Sequence, residues 1–171
     1  MKKAFSMIEL IIVIVVIGIL AVVMIPRIGS NRVYEAATQL ASHIRYTQHL
    51  AMVDDKFEST DLNWSKKLWQ IRFNNGSYSI VSDGAYAKNP MNRDNLDINI
   101  SQDYGVTLTF SNCGDNVISF DHVGRPLIDD LSTAGSAYAN LMTSDCLIKL
   151  SDDSEEAEIT IMKESGYISL K

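Results

Sequence analysis

An α+β fold is what this sequence predicts: a long N-terminal helix, apolar in its first half and amphipathic in its second, packed on a C-terminal antiparallel β domain. Three observations carry that expectation. Residues 10–25 form an unbroken run of sixteen nonpolar residues behind Lys2 and Lys3. Val33, Ala37, Leu40, Ile44, Thr47 and Ala51 then recur at alternating spacings of four and three, one stripe of an amphipathic helix. From Trp69 onward the period changes to two, in short stretches broken by Asn, Asp and Gly.

The apolar run ends Met24-Ile25-Pro26-Arg27, with no small-residue cleavage signal, so it is expected to be retained rather than removed as a signal peptide. A plain signal anchor is the simplest alternative. Helix over residues 5–25 would span roughly 30 Å, the thickness of a bilayer core. Lys2 and Lys3 favour a cytoplasmic N-terminus. Residues 5–26 are therefore expected to be a transmembrane segment, with the rest of the chain outside the cytoplasm. Residues 27–53 continue as the amphipathic spine of the soluble domain. Pro26 removes one helical hydrogen bond and is the expected bend, and Gly29-Ser30-Asn31 weaken the helix further. One helix of roughly 70 Å over about residues 5–53 results. Glu9 is the anomaly. Hydrophobicity alone would not place a carboxylate there, and an ionisable residue in a spanning segment is a functional candidate by default.

Residues 54–67 are a polar connector without a period. Residues 54–171 are the expected β domain, 118 residues, enough for a modest core. Trp69, Ile71 and Phe73 alternate with polar residues, Asn74-Asn75-Gly76 marks a turn, and Tyr78, Ile80 and Val81 resume the strand, which is a hairpin. Further strands are expected around Leu96–Ile98–Ile100, Val106–Leu108–Phe110, residues 117–120, Cys146–Ile148–Leu150, Ile159–Ile161 and residues 167–170. About seven or eight short antiparallel strands fit an α+β domain or a small two-sheet sandwich. Residues 129–145, rich in Ser, Thr, Ala and Gly, are expected to be a long loop with a short helix near residues 136–142.

The chain carries 15 basic and 21 acidic residues. Without Lys2 and Lys3 the balance is 13 basic against 21 acidic, a net charge of −8. With no basic stripe, that argues against nucleic acid as a partner. Cys113 and Cys146 both lie outside the apolar run, and an oxidising compartment would join them; two separate buried thiols are the alternative. Two Cys and three scattered His, His43, His49 and His122, give no metal-ligand spacing. Asp152, Asp153, Glu155, Glu156 and Glu158 lack the Gly and the alternating ligands of a calcium loop, and fit a solvated hairpin turn better. No P-loop, phosphate cradle or nucleophile elbow is present. No cofactor, metal or catalytic residue is expected.

The N-terminus resembles that of type IV prepilins and type II secretion pseudopilins. The residues that carry the resemblance are the basic leader, Phe5, Glu9 and the apolar run in register. The resemblance implies removal of residues 1–4 by a prepilin peptidase between Ala4 and Phe5, and methylation of the new Phe5 amine. Ala4 stands where the family usually has Gly. The resemblance further implies that Glu9 sets subunit register in a filament by pairing with the Phe5 ammonium of a neighbour. A weaker likeness lies in residues 118–126, where Phe120, Gly124 and Arg125 resemble the Phe-x-x-x-Gly-Arg element of the GspH/FimT-like minor pseudopilins. The closing segment with Ser165-Gly166-Tyr167 is similar to their final hairpin. Beside that likeness, Gly124 suits a turn with positive φ, Pro126 fixes its exit and Phe120 enters the core; a subunit contact by Arg125 is the lesser reading. The function implied is a minor pseudopilin, anchored once in the inner membrane with residues 54–171 in the periplasm, a structural subunit of a periplasmic secretion pseudopilus. Its partners would be other pilin-like subunits, the prepilin peptidase and an inner-membrane assembly platform. A minor pilin for a type IV pilus or DNA uptake is the alternative, and a monomeric membrane-anchored binding module lies outside the family.

Overall fold

In a computed structural model of the chain, residues 6–24, 32–129, 131 and 137–171 are described. They form two compact units, Met1–Arg32 and Val33–Lys171.

In the first unit, helix α1 runs Met7–Met24, 18 residues, or about 27 Å. No helix among the described residues is long and apolar enough to cross a membrane. The transmembrane helix expected over residues 5–26 is thereby corrected, and with it the single-pass inner-membrane placement of the chain. The single 70 Å helix is corrected as well: α1 and α2 (Arg32–Val53, 22 residues) are separate helices. The physical reason is written in the sequence between them. Proline disfavours helical backbone at the residue before it, and Gly, Ser and Asn are weak helix formers. The expectation of one helix let Pro26 bend it and Gly29-Ser30-Asn31 weaken it, but did not let them end it. Pro26 itself, the expected bend, lies outside the described residues, as do Ala4 and Phe5.

In the second unit, α2 buries Val33, Ala36, Ala37, Leu40, Ala41, Ile44, Thr47 and Ala51, the stripe that the four-and-three spacing marks. Thr47 fits among apolar neighbours because its Oγ1 donates back to the His43 carbonyl at 2.8 Å. The strands are β1 (Gln70–Asn74), β2 (Ser77–Ser82), β3 (Ala85–Tyr86), β4 (Asp97–Ile98), β5 (Thr107–Ser111), β6 (Val117–Phe120), β7 (Pro126–Ile128), β8 (Cys146–Ser151), β9 (Glu156–Ile161) and β10 (Ile168–Leu170). One sheet runs β3-β2-β1-β6-β7, with β4 also on β2; the other runs β10-β9-β8-β5. Every pairing is antiparallel. Both sheets and α2 bury side chains in one core, among them Ile71, Ile80 and Ile118 of the first sheet and Ile148, Leu150 and Ile159 of the second.

The β1–β2 hairpin turns through Asn75 and Gly76, both at positive φ, 44° and 80°. That is the primed turn whose twist matches the strands it joins. The strand expected through Leu96, Ile98 and Ile100 is different: it is cut to Asp97–Ile98, and Ile100 opens helix α3 (Ile100–Tyr104). Asn99 Oδ1 accepts the Gln102 N–H at 3.0 Å and caps that helix, and Gly105 ends it at φ 72°. Cys113 and Cys146 form a disulfide. It lies just beyond the Ser111–Leu147 pair and closes that end of the β5–β8 ladder.

Candidate functional site

Glu9 occupies the first turn of α1. Ser6 precedes the helix, and its Oγ accepts the Glu9 N–H at 3.3 Å. Ser6-Met7-Ile8-Glu9 is the spacing of a capping box. A carboxylate in the first turn is also favoured by the helix dipole. The bond to Ser6 is made by the Glu9 backbone N–H, so the local contribution of the carboxylate is this dipole effect. The side chains of residues 6–22 are all exposed, and Glu9 is the only charged one among them. A helix that is apolar on every side is stable only when something covers it.

The Phe120–Pro126 element and the Ser165-Gly166 turn, far apart in sequence, meet on α2. Gln48 Nε2 donates to the Gly124 carbonyl at 2.8 Å, to the Gly166 carbonyl at 3.2 Å and to the Ser165 carbonyl at 3.3 Å. The fit needs glycine at both turns. Gly124 has φ 84° and Gly166 has φ 64°. A Cβ on Gly166 would collide with the Gly124 carbonyl oxygen and lie 2.6 Å from Gln48 Nε2. One helical amide thus clasps the β6–β7 and β9–β10 connections.

Within the same element Asp121 is 2 % exposed. Its Oδ1 accepts the Val123 N–H at 3.0 Å and the Arg125 N–H at 2.8 Å, and its Oδ2 accepts Arg125 Nε at 2.7 Å. Arg125 also stacks over Tyr138, 5.7 Å from the ring centre. Phe120 is fully buried. The element is accordingly a self-satisfied turn. Removing the Asp121 carboxylate would take the acceptor from three donors that are only part-buried, at about 0.5–1.5 kcal/mol each.

His43 Nδ1 lies 2.6 Å from the Tyr78 hydroxyl. Burial lowers the His43 pKa from its ordinary 6.5 and raises that of Tyr78. A neutral imidazole therefore faces the hydroxyl, and its tautomer sets which of the two donates. A base whose pKa is depressed by folding contributes stability above its unfolded value, and loses it as pH falls from there toward the folded pKa. Melting temperature is expected to drop between about pH 7.5 and pH 5, through the imidazole range. In His43→Gln, which keeps an acceptor and does not titrate, that drop should shrink. Asp54 does not interfere: Lys56 and the Trp69 indole N–H hold its pKa below the ordinary 3.8, under the window. Equal slopes for the two proteins in a thermal melt would remove His43 from the account.

The acidic run is ordered by Asp152. Its Oδ1 accepts the Ser154 and Glu155 N–H groups, each at 2.8 Å, and the Ser154 hydroxyl at 3.1 Å. This carboxylate shapes the β8–β9 turn. Among the described residues, no group of three or more His, Cys, Asp or Glu is arranged to hold a metal ion.

The structure thus brings Phe120, Gly124 and Arg125 together at one turn, joins Cys113 to Cys146, and sets Glu9 apart on α1 in the other unit. Gln48 and Asp121 are the residues that sequence reasoning passes over. Asp121 had a signal, a short acidic side chain opening a turn to Gly124. Gln48 had none beyond its polar position on α2. No family model, curated protein or solved structure matches this chain.

Proposed function

We propose that this chain is a minor pseudopilin, a structural subunit of a type II secretion pseudopilus, and that it is not an enzyme. The observation that carries the reading is α1. It is an 18-residue helix, uniformly apolar apart from Glu9, whose described side chains are all exposed. Side-by-side packing among the apolar helices of other pilin-like subunits would cover it. In that setting a lone carboxylate has to be paired, and the amine of a neighbour's processed Phe5 supplies the charge. The second unit, built on α2 and clasped at Gln48, is the body such a helix would carry. Partners under this reading are other pilin-like subunits, a prepilin peptidase and the assembly platform.

Processing is the accessible test. Intact-mass analysis of the protein extracted in detergent from its own cells should show loss of Met1 through Ala4 and gain of one methyl group. A mature N-terminus beyond Pro26 would mark ordinary secretion and end this reading.

A further inference from the structure

A sheet edge presents unpaired N–H and C=O groups, and folded proteins cover such edges or break them. Three of the edges here are managed in that way. The outer edge of β7 is covered by the segment after residue 137: Met142 N–H donates to the Pro126 carbonyl at 3.1 Å, Asn140 Nδ2 donates to the Ile128 carbonyl at 3.1 Å, and Leu141 bridges to Leu127. The edge of β10 meets α2, where Arg45 donates to the Ile168 carbonyl at 2.9 Å. Beyond β2 lie only β3 and β4, two residues each, too short to template a partner.

β5 is the exception. It ends its sheet, and among the described residues no backbone group of residues 107–110 hydrogen-bonds outside the β8 ladder. Its five residues, Thr-Leu-Thr-Phe-Ser, contain no charge, proline or glycine. Leu108 and Phe110 face inward and are partly buried against the core, beside a cleft of about 280 Å³ that Phe73 and Asn116 also line. Nothing in this strand discourages pairing.

We propose that β5 is a docking strand for a second copy of this chain, pairing antiparallel with itself about Thr109. Self-complementarity selects that occupant. Centred on Thr109, the pairing sets Thr107 against Ser111 and Leu108 against Phe110, polar on polar and apolar on apolar, with Thr109 facing its own copy. Like charges directly opposite would forbid such a pair, and there are none. The nearest candidate for repulsion is Lys149, the β8 partner of Thr109. The two copies of Lys149 would be three strand spacings apart, about 14 Å, beyond the screening length at physiological salt. Each also has Glu156 at 3.8 Å. The two four-stranded sheets would join into one of eight, and each copy's Leu108 and Phe110 would help close the other's cleft. This contact is separate from the α1 contact proposed above.

The test uses the full chain in a detergent that covers α1, with mass measured by sedimentation over a concentration series. The wild type should dimerise as concentration rises, with the β5 amides gaining protection from hydrogen exchange in step. Thr109→Lys should raise the dimer dissociation constant by about tenfold or more, since it sets two like charges face to face. The introduced charge also faces Lys149 of its own copy across β8, so Thr109→Glu, opposite in sign to Lys149, serves beside it: it should weaken the dimer while the melting temperature holds, Thr109 being exposed. Thr109→Cys should yield a disulfide-linked dimer on oxidation. A wild type that stays monomeric to its solubility limit would overturn the proposal. A dimer that survives Thr109→Lys would overturn it too, and would assign the association to α1. Protection of β5 only on addition of a different protein would give the edge to a foreign strand.

Discussion

Replacing Cys113 and Cys146 together by alanine is expected to lower the melting temperature by about 10–15 °C. The bridge links residues 33 apart, and in the chain-entropy model a loop of that size stabilises by about 3–4 kcal/mol. For a unit the size of Val33–Lys171, the unfolding entropy is about 0.3 kcal/mol per kelvin, which sets the scale of the shift. Both cysteines are buried, 2 % and 0 % exposed, so the lost sulfurs add a small cavity cost in the same direction. The wild type treated with reductant should approach the same melting temperature, and the oxidised wild type should present no free thiol to an alkylating reagent. A shift under about 3 °C would mean that the unfolded chain is already constrained across this loop. The bridge also holds β5 against β8, so its loss should loosen the free sheet edge, visible as faster amide exchange in Thr107–Ser111.

Much of the β domain could be read from local pattern. Trp69, Ile71 and Phe73 before Asn74-Asn75-Gly76 announce both the strands and their turn, and positive φ at Asn75 and Gly76 follows from the residues placed there. The burial of Val33, Leu40 and Ile44 follows from helical spacing in the same way. The Leu96–Ile100 stretch shows where one local signal overrode another. Its alternation suggests a strand, but Asn99 followed by Gln102 and then Gly105 is a cap and a stop, and those signals prevail. β3 and β7 were beyond reach because two or three residues hold no period. The N-terminal helix was overestimated because two helical stretches, now α1 and α2, were joined into one.

What local pattern cannot show is which distant segments meet. Gln48 donates to carbonyls 76 and 118 residues away, and a glutamine on the polar flank of a helix does not advertise that. The two glycine turns it clasps are the ones singled out by family likeness, and the structure gives them a physical reason: close approach of two backbones around one amide. Arg125 is similar. Its neighbours Asp121 and Tyr138 account for it within the unit, which favours the structural reading of that turn over a subunit contact.

Recruitment of the full chain into filaments of other pilin-like subunits, measured for the wild type and for Glu9→Ala, tests the central claim most directly. Glu9 belongs to α1, and the unit Val33–Lys171 is compact in its own right, so the substitution should leave the melting of that unit unchanged. The helix-dipole effect of the Glu9 carboxylate accounts for only a few tenths of a kcal/mol to about 1 kcal/mol of helix stability. Loss of one partner from a buried ion pair costs about 3–5 kcal/mol, a drop in recruitment of about a hundredfold or more. The account predicts that wild-type protein enters the filaments and that Glu9→Ala, folded and equally abundant, is left out. Incorporation of Glu9→Ala at the wild-type level, or failure of the wild type to enter at all, would contradict it.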